Sequence, residues 1–235
     1  MRRHWEAQAD HYCQNRSWSD VDQRAFELIS QYKRGQILEV GIGPGLIASR
    51  VLDQHHDIRW FGSDVSPTFL KNAGELTAAK AILALADARY LPFKPESFDA
   101  ILEMVTIHHF RRELIPLVIH ELADTLKAGG QLISVEDWAA APQTPREHLA
   151  HILQKKRLTS ESGEEYHPSE DEWMDWFTHA GLQVTTPERI ARPLNFQQFG
   201  DLTDTESTRQ LAELQDLWEG QTPQTVMSIF ICKKE

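Results

Sequence analysis

The feature that most restricts the fold is an unbroken alternation of strand-like and helix-like segments across residues 36–135. The apolar run Gln36-Ile37-Leu38-Glu39-Val40 opens into Gly41-Ile42-Gly43-Pro44-Gly45, and Ile47, Ala48, Val51 and Leu52 then recur with helical spacing. Further strands are predicted at Ile58 to Asp64, Ala81 to Ala88, Phe98 to Met104 and Gln131 to Val135. Between them, Ser66-Pro67 reads as an N-cap with proline in the first helical turn, and a helix from Leu114 to Leu126 is expected to close at Lys127-Ala128-Gly129-Gly130. Strands that alternate with helices need crossover connections, which implies an α/β fold: a three-layer αβα sandwich around a Rossmann-like, mostly parallel sheet. Ligands of such sheets bind beyond the carboxyl ends of the strands. The glycine turn, Asp64, Asp87 and the Glu103 to His109 segment all fall there.

Downstream, Ser169 and Glu172 have capping-box spacing, and Trp173, Trp176, Phe177 and Ala180 form one apolar stripe. Helices are expected near His148 to Leu158 and Thr205 to Trp218, and two last strands at Leu182 to Ile190 and Val226 to Cys232. With no internal repeat or linker, the 235 residues read as a single domain. Its parts are an N-terminal helical cap (1–34), a cofactor-binding core (35–137), a cap segment and helix (138–180), and terminal strands with a helical insertion (181–235). The formal charge of −11, from 24 Lys+Arg against 35 Asp+Glu, repels phosphate backbones and anionic lipid, which argues against nucleic acid as a partner. No membrane span is expected. Cys13 and Cys232 are far apart with no Cys-x-x-Cys, and the first residues lack the apolar centre of a signal peptide, so a reduced, cytoplasmic setting is expected.

The glycine turn alone is ambiguous, because dinucleotide sites place G-x-G-x-x-G in the same position. Here the third glycine is Gly45 and Leu46 follows, so that fingerprint fails. Pro44 also has no N–H to give to a pyrophosphate. Asp64, 23 residues after Gly41, has the spacing of an acid that holds ribose hydroxyls. The pattern fits a nucleoside without phosphates.

Five motifs in order then resemble the class I S-adenosylmethionine-dependent methyltransferases. They are Glu39-Val40-Gly41-x-Gly43-Pro44-Gly45, Gly62-Ser63-Asp64-Val65-Ser66-Pro67, Ala86-Asp87-Ala88 with Ser97-Phe98-Asp99, Ile107-His108-His109-Phe110, and Leu126-Lys127-Ala128-Gly129-Gly130. The likeness is nearest to the small-molecule, ubiquinone/menaquinone-methyltransferase-like branch and covers about residues 35–137. It implies seven strands, the last antiparallel and inserted beside the fifth. It also implies S-adenosylmethionine as cofactor, S-adenosylhomocysteine as product, and a small-molecule methyl acceptor. Glu39, Gly41, Gly43 and Gly45 would line the methionine part, with the Glu103 carbonyl on its amino group. Asp64 would hold the ribose, Val65 would pack on adenine, and Asp87 and Ala88 would read the adenine edge. Tyr12 would cover the cofactor.

Methyl transfer from a sulfonium is an in-line displacement, so alignment is the main task. A hydroxyl or ammonium acceptor adds the need for a base, for which His108, His109, His11 and Glu136 are candidates. His108-His109 reads equally as the start of the following helix. His148 and His151 are three apart but have no third ligand at matching spacing, so no metal is expected. Two alternatives remain: a protein that binds the cofactor without turnover, and a nicotinamide-dependent oxidoreductase, which Leu46 and Pro44 disfavour.

Overall fold

In a computed structural model of the chain, the described residues are 2–160, 166–194, 196, 203–219, 221 and 223–235, with the side chains of 2–5, 8 and 158–160 outside the description. Helices α1 (Arg2–Asn15) and α2 (Asp20–Ile29) precede β1 (Arg34–Val40), α3 (Leu46–Gln54), β2 (Asp57–Asp64), α4 (Pro67–Leu76) and β3 (Ile82–Leu85). The chain continues with β4 (Phe98–Met104), α5 (Ile115–Thr125), β5 (Leu126–Asp137), α6 (Pro145–Ser160), α7 (Glu170–His179), β6 (Leu182–Val184), β7 (Glu188–Pro193), α8 (Thr205–Leu217) and β8 (Gln224–Lys234).

The strands form one sheet in the order β3-β2-β1-β4-β5-β8-β6, with β7 also paired to β8. Pairings from β3 through β5 are parallel, and β8 runs antiparallel to β5, β6 and β7. This is the expected Rossmann-like sheet with its antiparallel strand beside the fifth. The predicted run Leu182 to Ile190 is interrupted at Thr185-Thr186-Pro187, so β6 and β7 occupy one edge of β8 as two short strands. Proline cannot donate to the ladder, which explains the break. Helix α5 ends at Thr125, earlier than expected, because Leu126 already pairs with Phe98.

Side-chain alternation sends the two faces of the sheet into separate cores. Leu38, Ile101, Leu132, Phe230 and Cys232 pack with α5 and α7, including Trp173 and Phe177. Ile37, Ala100, Leu102, Ile133 and Ile229 pack with α2 and α3, including Ala25, Ile29, Ala48 and Val51. A third cluster joins Trp138, Leu149, Leu153, Leu214 and Trp218 beneath α6 and α8. The helix ends follow their sequence signals: Ser66 Oγ accepts from Phe69 N at 3.1 Å, and Ser169 and Glu172 form the expected capping box. Among the described residues, no helix is long and apolar enough to cross a membrane.

Phe230, fully buried on β8, meets the Phe177 ring at 5.5 Å and Trp173 at 6.2 Å. Phe230→Ala should cost about 3–5 kcal/mol of unfolding free energy in urea denaturation, whereas Leu117→Ala on the exposed face of α5 should change it by under about 0.5 kcal/mol.

Candidate functional site

The parallel register brings the ends of β1, β2, β4 and β5 to one rim. Beyond β1 the chain reverses: Gly41 N and Ile42 N both donate to the Ser63 carbonyl, at 2.8 and 3.0 Å, and Gly45 N donates to Ile42 O at 3.0 Å. Gly41 has φ +68°, and a Cβ there would lie 2.1 Å from Thr106 Oγ1, so only glycine fits. A Cβ on Gly43 would meet only the Gly41 carbonyl, at 4.0 Å, which leaves that face of the turn open for close approach. Gly45 (φ +80°) serves as the N-cap of α3 without a side chain.

Asp64 ties this turn to the next helix. One carboxylate oxygen accepts from Gly43 N at 3.0 Å and the other from Ser66 N at 2.9 Å. Burial pushes its carboxyl up, against the pull of the Ser66, Gly43 and Val65 N–H groups. Val65 follows directly, half-buried. Glu39 lies beneath the turn with its carboxylate accepting from Trp60 Nε1 at 3.1 Å, and burial pushes its carboxyl up to about 8. Asp87, beyond β3, is gripped by Arg89 through the guanidinium (2.7 and 3.0 Å) and the backbone N–H (3.0 Å). Those bonds outweigh the effect of its burial and hold its carboxyl below the ordinary range. Ala88 beside it is buried.

Helix α1 closes one side. Glu6 accepts from the hydroxyls of Ser66 and Thr68, and Tyr12 stands edge-on to Phe69 with ring centroids 5.6 Å apart. Tyr12 is thereby placed against α4, with its hydroxyl taken by Arg16 Nε at 3.1 Å. The Cys13 thiol, on the same helix, is raised by burial and by the charges of Asp10 and Asp64.

A buried acidic group occupies the ends of β4 and β5. One Glu103 oxygen accepts from Thr106 N (2.7 Å) and Ile107 N (3.2 Å), and the other accepts from Ser134 Oγ at 2.6 Å. Glu136 accepts from Ile107 N at 3.2 Å and meets His108 Nδ1 at 2.6 Å. Burial raises both carboxyls well above the usual range, and the charge of Glu136 adds to the effect on Glu103. Together they clamp residues 105–108. Val105 and Trp138, which follow β4 and β5 directly, have φ of +55° and +57°. Left-handed backbone at a β-branched and a bulky residue stores strain at this rim, a feature no sequence pattern announces.

Of the four base candidates, three come together and His11 stands apart. His108 and Glu136 are bonded to each other in the interior, His109 is half-buried at the rim with its ring 4.1 Å from that of His108, and His11 is exposed on α1. Sequence reasoning missed Asp137, His167 and Arg192, which join the cluster from β5, the approach to α7, and β7. Arg192 Nη2 lies 2.9 Å from Asp137 Oδ2, and His167 Nδ1 lies 3.1 Å from Oδ1. Burial would raise the Asp137 carboxyl, but the charges of His108, His167 and Arg192 hold it far below normal. His151, on α6, has its ring 5.1 Å from that of Trp138 and so packs inward rather than pairing with exposed His148 as a surface chelate. A cavity of about 460 Å³ opens between Arg146, Trp218, Ala191 and Thr225. It borders β7 and β8, and β8 lies three strands along the sheet from β1.

This topology and rim define a class I methyltransferase fold. Residues 37–130 match the methyltransferase domain family. It is similar to human mitochondrial arginine-hydroxylase NDUFAF5, with 30% identity over 96 residues, or 41% of this chain and 27% of that protein. It is also similar to the tRNA (carboxymethyluridine(34)-5-O)-methyltransferase of Saccharomyces cerevisiae, with 28% identity over 124 residues, or 52% of this chain and 44% of that protein. The chain spans less than half the length of these curated relatives. In fold it is similar to Haemonchus contortus phosphoethanolamine N-methyltransferase 2 in complex with phosphomonomethylethanolamine and S-adenosylhomocysteine. The TM-score is 0.60 at 14% identity, covering 92% of this chain and 52% of that one.

The raised carboxyl of Glu39 has a measurable consequence. Its folded pKa of about 8 lies above the ordinary 4.5, so the fold retains a proton that the unfolded chain releases. Its contribution is therefore full below the unfolded pKa and is lost as pH rises toward 8. Glu39→Gln keeps an acceptor for Trp60 without a titrating group. The stability of this variant relative to the parent, measured by urea unfolding, should grow by about 3–4 kcal/mol from pH 5 to pH 8.

Proposed function

We propose that the protein is an S-adenosylmethionine-dependent methyltransferase acting on a small-molecule acceptor. The observation that carries this reading is the open glycine turn braced by Asp64. In this reading the turn offers backbone to a cofactor linker without phosphates, and the aspartate takes the ribose. Gly41, Gly43 and Gly45 receive the methionine end above buried Glu39, with the Glu103 carbonyl on its amino group. Asp64 accepts from the ribose hydroxyls, and Val65 packs on adenine. Asp87 and Ala88 read the adenine edge, with Arg89 fixing the carboxylate, and α1 with Tyr12 closes the cleft.

The buried Glu103 and Glu136 hold the 105–108 segment beside the methyl donor, which is a positioning role. The net negative charge of the chain favours binding of the sulfonium cation. It does not by itself speed transfer, because the same field stabilises the charged ground state. Where the acceptor needs deprotonation, half-exposed His109 is better placed than buried His108. A small acceptor rather than RNA is supported by the formal charge of −11, since a polynucleotide would meet net repulsion. A reduced, cytoplasmic setting belongs to the same reading, with Cys232 buried and Cys13 half-buried as free thiols.

In a thermal unfolding assay, S-adenosylmethionine or S-adenosylhomocysteine at about 100 times Kd should add about 2.7 kcal/mol of stability. Asp64→Ala should weaken cofactor binding by roughly tenfold to hundredfold, as expected for losing hydrogen bonds to a carboxylate. Unchanged affinity would remove Asp64 from the ribose site, and no stabilisation by either compound would remove the reading itself.

A further inference from the structure

We propose that His108, Asp137 and His167 form a binding site for one first-row divalent transition-metal ion, beside the cofactor cleft and independent of methyl transfer. One donor atom from each of the three lies within 4.8 Å of the others. Their side chains are 4%, 9% and 8% exposed, so this is an interior cluster and not a chance grouping of surface ligands. The His108 and His167 rings stack with centroids 4.5 Å apart, and His108 Nδ1 stands 3.8 Å from Asp137 Oδ1.

Two buried atoms of the cluster, Asp137 Oδ1 and His167 Nε2, have no hydrogen-bond partner. His167 Nδ1 comes within 3.1 Å of Oδ1 without hydrogen-bond alignment. An interior carboxylate oxygen without an aligned donor is costly, and a bound cation would remove that cost. The remaining contacts have the form of supports around metal ligands. Glu136 meets His108 Nδ1 at 2.6 Å and fixes the ring, and in a carboxylate–histidine arrangement the ion would take its other nitrogen, Nε2. Arg192 holds Asp137 through Oδ2, which leaves Oδ1 facing the two histidines. Two imidazoles and one carboxylate suit zinc, cobalt, manganese or iron(II) better than magnesium or calcium, which prefer all-oxygen shells. Ligands on one such ion stand about 3–4 Å apart, given bonds near 2.1 Å, so a small contraction of the cluster would close the site. It stands where β4 and β5 end, at the rim that faces an acceptor.

The test uses the full chain, stripped with chelator and then titrated with Zn²⁺ or Co²⁺. Metal content is read by mass spectrometry and Co²⁺ ligation by its visible absorption. About one equivalent should bind, with a Co²⁺ spectrum of mixed nitrogen and oxygen ligation. His167→Ala should weaken binding at least tenfold, and His148→Ala, on the exposed face of α6, should leave it unchanged. Far-UV circular dichroism and S-adenosylhomocysteine affinity check that each variant is folded; should His167→Ala fail, His167→Gln takes its place. Absence of stoichiometric binding in the parent chain at micromolar metal, or equal binding in the folded His167 variant, would overturn the site.

Discussion

The Asp64 carboxylate is the constraint on which the rest of the rim depends. By accepting from Gly43 N and Ser66 N together, it joins the turn after β1 to the N-terminus of α4, across the β1–β2 pair. The turn needs such a brace, because glycines at 41, 43 and 45 cost more conformational entropy to order than other residues. In the proposed reading the same carboxylate also accepts from the ribose hydroxyls.

A second brace, further along the rim, is electrostatic and costly. Glu103 and Glu136 are fully buried with raised carboxyls, yet every oxygen is satisfied, by N–H groups of 106 and 107, by Ser134 or by His108. Buried polar networks of this kind rigidify when complete. Here the network fixes the strained turn at Val105, whose neighbour Thr106 in turn excludes any side chain from Gly41. The two braces meet at the glycine turn, which explains why the residues of β1, β2, β4 and β5 form one preorganised surface.

Much of this was legible in the sequence. The alternation of strands and helices, the glycine turn, the Ser66-Pro67 cap and the Ser169/Glu172 capping box are local signals, and local physics decides them. The parallel order followed from crossover geometry. The break at Thr185–Pro187 was hidden because an apolar run does not show where an edge strand loses its ladder. The cluster of His108, Glu136, Asp137, His167 and Arg192 was hidden for another reason. Its members lie up to 84 positions apart and come from β5, β7 and two loops, so no spacing rule reaches them. Glu103 and Glu136 carried no burial signal either, since a carboxylate in a strand reads as exposed until its partners are known. The Arg89 guanidinium that holds the Asp87 carboxylate, two residues on, is a contact that the strand-end spacing does not announce.

The central claim is that the cleft between the glycine turn and Asp64 receives S-adenosylmethionine. A crystal structure of the chain grown with S-adenosylhomocysteine tests it most directly. The account predicts ribose hydroxyls on the Asp64 carboxylate and the homocysteine chain over Gly41 and Gly43. Density for the ligand elsewhere, or α1 packed so that this cleft is filled by protein alone, would contradict it.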